Sequence, residues 1–197
     1  MASKSHYFWL RGDLQQARAC NQVVHELAVQ ANDANHELIA LVFAEQLSAS
    51  VGDLLNAVTV GREIIVKARS IASRAYSFAL GNLGAALTEL GELDEALARS
   101  RECVPFKSRD GSLWVRLDAF SLLAFKRGHA KNSALVLGCC DAIYAAKNHP
   151  RQPNEQRVHD LALAGLQKTF SKTELKKLMG EGATLSVEEA ARIALAD

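Results

Sequence analysis

Two histidines in this chain are followed by glutamate and leucine, in His25-Glu26-Leu27 and His36-Glu37-Leu38. That opening belongs to helical zinc-protease sites, where a second histidine one turn later completes the metal site and the glutamate acts as base. Neither stretch supplies the second histidine, and His6, His25, His36, His129, His149 and His159 form no pair four residues apart. The vicinal Cys139 and Cys140 are soft ligands by type. Neighbouring side chains on a helix diverge by about 100°, however, so the two thiols do not converge on one atom. No metal and no other cofactor is expected. No glycine-rich phosphate loop occurs, and Gly81 and Gly84 lie within a helical pattern where they serve packing.

Catalytic groupings are equally sparse. There is no serine elbow, and no cysteine stands at an interpretable spacing from a histidine. The acids Glu92, Asp94 and Glu95, and the pair Glu188–Glu189, sit at expected helix starts, where they offset the helix dipole. Lys172, Lys176 and Lys177, partly balanced by Glu174, read as a solvated face. The densest titratable group is His149, Arg151, Glu155, Arg157 and His159. Lining a pocket, it would suit a small helical enzyme or a ligand carrier. A solvated linker and helix start is the expectation, and no catalytic residue is assigned.

The elements that would position any site are helices. Of 197 residues, 49% are hydrophobic and 23% charged, with only three prolines and a net charge of +1. That balance is of a globular all-α chain, without a broad nucleic-acid or membrane surface. No apolar run approaches the length of a bilayer span, and the four cysteines suggest buried reduced thiols, so a cytoplasmic location is expected.

A period organises the first three quarters. GDLQQA (12–17), GDLLNA (52–57), GELDEA (91–96) and GHAKNS (128–133) each place a small residue five positions after a glycine, and the glycines lie 40, 39 and 37 residues apart. Each glycine reads as the end of one helix, followed in three of the four units by an acid favourable at the start of the next. The small residues Ala17, Ala57, Ala96 and Ser133, with Gly84, then allow close helix approach within an αα-hairpin. Expected helices are a stub near 5–10, then 13–30, 34–50, 53–69, 72–90, 93–104, 112–127 and 130–147. Beyond the proline-broken HPRQPNEQ lie 154–169, 172–180 and 187–196, the last two opened by capping boxes at Ser171 and Ser186. The expected organisation is a repeat array over 1–147, with units near 1–30, 34–69, 72–104 and 112–147, and capping helices over 148–197. Unit one has eleven residues before Gly12. Either its first helix is short or the chain begins inside a repeat of something longer, and the second is the expectation.

The third unit resembles a tetratricopeptide repeat. Leu80, Leu83, Gly84, Leu87, Gly91, Ala96 and Cys103 fall where that family places bulky, small and turn residues. The fourth matches less closely through Leu117, Phe120, Ser121, Ala124, Gly128, Ser133 and Cys140; the second departs at Glu45, and the first offers Gly12, Ala17 and Val24. The family's period is about 34 residues, shorter than here, and its closing proline is missing. The C-terminal stretch from GCCDAIY to EEAARIAL is similar to the ends of large bacterial STAND-type transcriptional regulators, in which such repeats follow an NTPase; related arrays follow adenylate-cyclase domains. The resemblance implies a right-handed superhelical α-solenoid that binds protein or peptide without catalysis, as the sensor part of a transcriptional regulator or the tail of a signalling cyclase. It places Gln46, Phe78, Asn82, Asp118, Leu122 and Phe125 on a concave groove. Asn82 matches the asparagine of a carboxylate clamp whose basic companions are missing. The occupant would be an amphipathic helix or extended peptide, or equally a helix of the same longer chain. No direct nucleic-acid or membrane contact is expected, and a homodimer is possible through the N-terminal half-repeat.

Overall fold

The computed structural model describes residues 2–70 and 74–197, and these are helical with no strand among them. The elements are α1 (Ala2–Leu10), α2 (Leu14–Gln30), α3 (Ala34–Ser50), α4 (Leu54–Ser70), α5 (Ala75–Leu90) and α6 (Leu93–Arg109). A 3₁₀ turn, Leu113–Arg116, leads into α7 (Leu117–Lys126), followed by α8 (Ala130–Lys147), α9 (Pro153–Thr169), α10 (Lys172–Gly182) and α11 (Val187–Ala194). The expected start of the fifth helix at 72 lies outside the described residues. The chain divides into two compact units, 1–86 and 87–197. The boundary expected at 147/148 falls inside the second.

The four repeat glycines occupy the bends after α1, α3, α5 and α7. Gly12, Gly52, Gly91 and Gly128 have φ of +78°, +83°, +89° and +88°, a backbone region that other residues adopt only at a cost. The amide one residue further on donates to the carbonyl five back: Asp13 to Phe8 (3.0 Å), Asp53 to Ser48 (2.9 Å), Glu92 to Leu87 (3.0 Å) and His129 to Ala124 (2.9 Å). This closure satisfies carbonyls that a helix end leaves open. Asp13 and Asp53 also cap the next helix, accepting from the amides of Gln16 and Asn56. Glu92 and His129 make no such bond.

The same closure recurs between hairpins. Asn32 (φ +53°) and Gly111 (φ +71°) bend the chain, with Asp33 donating to Ala28 and Ser112 to Lys107, both at 2.9 Å. Asp33 caps α3 through the His36 amide. Consequently α2, α3 and α4 begin at 14, 34 and 54, a step of one helix plus one bend. Helix α6 does not stop at Cys103–Val104 as its proline suggests. Pro105 lies within it, and Gly111 sets the end. Cys103 and Lys107, on either side of Pro105, are both buried, so the packed face of the helix continues through the proline and the hydrogen bond it forfeits.

In the first unit, α1 packs on α2, α2 on α3 and α3 on α4. Trp9, Ala17 and Leu47 form a buried cluster with Phe8, Leu14 and Phe43 against it. The Trp9 indole donates to Ser50 Oγ at 2.8 Å, and the buried Asn21 amide to the Ala40 carbonyl at 2.9 Å. Ala17 and Ala57 are wholly buried. Glu45, the residue out of pattern, is buried against Gly61, where a β-carbon would lie 2.5 Å from its Oε1. The carboxylate thus occupies volume that its neighbour gives up.

In the second unit, α7 and α8 are the central pair. Ser121 Oγ donates to the Ser133 carbonyl at 3.0 Å where the two helices meet, and Ala96 and Ser133 are wholly buried. Helix α9 lies on α7 and α8, α10 on α8, and α11 on α7 and α8. The core joins Leu122, Ala134 and Leu137 to Val158, Ala162, Leu166, Leu175 and Leu178. Helices α8 and α10 touch backbone to backbone. A methyl group at Gly138 would collide with the Met179 carbonyl, and one at Gly182 with that of Leu135.

Gly138→Ala is therefore expected to destabilise the chain by about 3 kcal/mol, a fall in Tm of roughly 10 °C. Gly180→Ala, on α10 but with nothing within 4 Å of the added carbon, should be neutral or stabilising by up to ~1 kcal/mol. Equal melting of the two variants in a thermal scan contradicts the crossing.

Candidate functional site

The polar side chains that sequence places around residues 149–159 meet others from α7 and α8 in the second unit. Their positioning begins with Asn148, whose left-handed conformation (φ +47°) ends α8, and with Pro150 and Pro153, which keep the connection extended until Pro153 opens α9. Gln152 and Glu155 form a capping box there. Arg151 is thereby turned inward.

Asp118 on α7 is 1% exposed, and Arg151 reaches it with two hydrogen bonds, Nε at 2.8 Å and Nη2 at 3.2 Å. The same Nη2 donates to Asp141 Oδ1 on α8 at 2.5 Å. His159 Nε2 lies 3.2 Å from that oxygen and Nδ1 lies 2.9 Å from Asp160. The result is a line of alternating charge, Asp118–Arg151–Asp141–His159–Asp160. The Arg151 guanidinium also stacks over the Tyr144 ring at 4.3 Å, while the Tyr144 hydroxyl donates to Glu155 at 2.9 Å. Trp114 meets Tyr144 edge-on at 5.1 Å, with the Lys147 ammonium over its own ring.

Burial pushes the Asp118 carboxyl up, and the Arg151 pairing opposes it. Burial acts likewise on Asp141, but there the hydrogen bond from His159 and the charge of Arg151 prevail and hold it below the usual carboxylate value. The hydrogen bond to Asp141 raises His159 above 6.5, against burial and with help from Asp160. Burial and the Glu155 charge push the Tyr144 hydroxyl up. Burial also raises Cys103, Cys139 and Cys140, which remain thiols.

The solvated linker expected around 149–160 is thus corrected at Arg151 and His159, both largely buried and ion-paired, whereas His149 is exposed. Arg157 pairs with Glu89 at 2.7 Å, apart from the rest. These groups consume one another's hydrogen-bonding capacity, which is the chemistry of an anchor. An open cavity of about 540 Å³ in this unit lies elsewhere, lined by Arg101, Leu113, Asn132, Arg192 and Leu195 among others. Asp141 and Tyr144, which complete the cluster, carried no signal in the sequence beyond their helical register.

The groove residues are also redistributed. Asp118 is taken by Arg151, Leu122 is core, and Phe125 packs against α9 where Gly165 leaves room for its ring. These three do not line an open groove, because Arg151 and helix α9 cover them. In the first unit Gln46 is partly exposed and Phe78 is 37% exposed. Asn82 is partly buried and donates to Glu45 at 3.3 Å. Among the described residues, no group of three or more histidine, cysteine or acidic side chains is arranged to hold a metal, and no helix is long and apolar enough to cross a membrane. The chain matches no protein-family model, no curated protein and no solved structure.

Replacing Arg151 by leucine leaves Asp118 buried without its partner and is expected to cost about 3–5 kcal/mol in denaturant unfolding. Asp118→Leu combined with Arg151→Leu should recover most of that loss; an additive double variant rules out the pairing. Because the His159 pKa is raised on folding, its stabilisation is complete below pH 6.5 and is lost as pH climbs through the folded value. Stability measured from pH 6 to 8.5 should decline, and His159→Gln should flatten that decline.

Proposed function

We propose that this chain is a non-catalytic helical-repeat module of the tetratricopeptide type, an α-solenoid that binds an amphipathic helix of a protein partner. The observation that carries the reading is α9 seated on α7. That face of α7 bears Asp118, Leu122 and Phe125, and it is filled by Val158, Ala162 and Leu166 of an amphipathic helix, with an ion pair fixing its approach. Helix-in-groove recognition uses such anchors at one-turn spacing. In the repeat register, the matching first helices of the earlier hairpins are α3 and α5. In the first unit these carry the partly open Gln46 and two large apolar side chains in solvent, Ile39 at 47% and Phe78 at 37% exposure. A role as the sensor portion of a larger regulator agrees with this reading, since occupancy of such a face is a natural input for a neighbouring domain.

Selection of a displayed library of amphipathic helical peptides against the full chain tests the idea. Binders are expected, and Phe78→Ala or Ile39→Ser should weaken them about tenfold or more while leaving thermal unfolding nearly unchanged. A library that returns no binder, or binders indifferent to both substitutions, overturns it.

A further inference from the structure

The cavity of about 540 Å³ in the second unit is a crevice where α6, α8 and α11 come together. Its walls are aliphatic: Val104 on α6, Leu113 on the 3₁₀ turn, and Ala191, Ile193 and Leu195 at the end of α11. Small-molecule sites have volumes of this order and set a few placed polar groups into an apolar lining. Here those groups are Arg101, Asn132, Glu188 and Arg192.

Two of them fix the shape of the crevice. Asn132 donates to the Ile193 carbonyl at 3.2 Å, and Arg101 donates to that of Leu195 through Nε at 3.0 Å and Nη2 at 2.6 Å. Arg127 donates to the Ala196 carbonyl at 2.6 Å. Together they satisfy carbonyls that the end of a helix leaves open, and they pin the wall that α11 forms.

The charges at the rim are unequal. Arg101 and Arg192, both exposed, stand against the single acid Glu188, which leaves one positive charge. In the structure the Asp197 carboxylate answers it, accepting from Arg101 Nη2 at 2.7 Å. That side chain is 92% exposed, so water competes with the contact. Asp197 brings a carboxylate to the rim with no apolar body to lay against the aliphatic walls. A carboxylate carrying an aliphatic chain meets both requirements, its head on Arg101 and its tail against Val104, Leu113 and Ile193. A dianion exceeds the charge at the rim, and a neutral aliphatic compound leaves it unmatched.

We propose that this crevice binds an aliphatic monocarboxylate of medium chain length, whose head group displaces Asp197 from Arg101. The site lies on other helices than the faces of α3 and α5, and it does not depend on their binding a partner helix.

Calorimetric titration of the full chain with decanoate should show saturable binding with a Kd on the order of 10–100 µM. Decanol, which keeps the tail without the charge, and butyrate, which keeps the charge without the tail, should each bind at least about tenfold more weakly. Asp197→Ala removes the internal competitor and should tighten decanoate binding about threefold, with the melting temperature nearly unchanged. Val104→Phe fills the crevice and should abolish binding. The proposal is overturned by a titration without saturable binding, by decanol binding as well as decanoate, or by equal or weaker affinity in Asp197→Ala. Undiminished affinity in a folded Val104→Phe variant overturns it too.

Discussion

Turning one helix onto the next within a few residues strains an ordinary backbone, and a residue that accepts a left-handed conformation relieves that strain. Seven bends among the described residues depend on such a residue, whereas the joints on either side of α10, with Phe170, Ser171 and Ser186 extended, do not. Gly12, Gly52, Gly91 and Gly128 fill this role inside the hairpins, and Asn32, Gly111 and Asn148 fill it elsewhere. Each supplies a positive φ, and the following amide closes on a carbonyl five residues back. Short closures of this kind leave adjacent helices no choice but to lie side by side. Small residues at the crossings then determine how near they come.

In the second unit a different force organises the C-terminal helices. Placing Asp118 inside is costly, and the cost is offset because Arg151 arrives from the proline-rich connection with both of its donors aligned. An ion pair of this kind adds modestly to stability but strongly penalises misalignment, since any other seating of α9 strands a charge. The apolar ridge of Val158, Ala162 and Leu166 contributes the attraction, and the charges select the register. Gly165 beneath the Phe125 ring and Gly138 beneath the Met179 backbone close the remaining distance.

How far the chain could be read without coordinates varies with the range of the interaction. The four glycine bends and the capping boxes at Ser171 and Ser186 are local and were legible; the Ser186 box forms with Glu189, and Ser171 caps through the Glu174 amide. The break at 31–33 falls between the expected helices, but Asn32-Asp33 was not read as a repeat of Gly12-Asp13 and Gly52-Asp53, because asparagine is a less conspicuous source of positive φ than glycine. Asp118, Leu122 and Phe125 share one face of α7 by their spacing, which in the sequence reads as a groove lining. Their cover was invisible, because nothing local links Asp118 to an arginine 33 positions later. Glu45 read as a flaw in the pattern, and its accommodation by Gly61 on the next helix is a tertiary fact. The expected helix end at 104 falls short of the observed one, because α6 runs through Pro105 to Arg109.

The two tryptophans fall one to each compact unit. Trp9 is sealed in the first with its indole N–H bound to Ser50, whereas Trp114 sits partly exposed in the second between Tyr144 and Lys147. Their fluorescence thus carries two separately addressable signals, a shielded emitter and one beside a cation. Replacing either by phenylalanine leaves a native optical reporter for the other unit, so cooperativity between the two can be followed without attaching a dye.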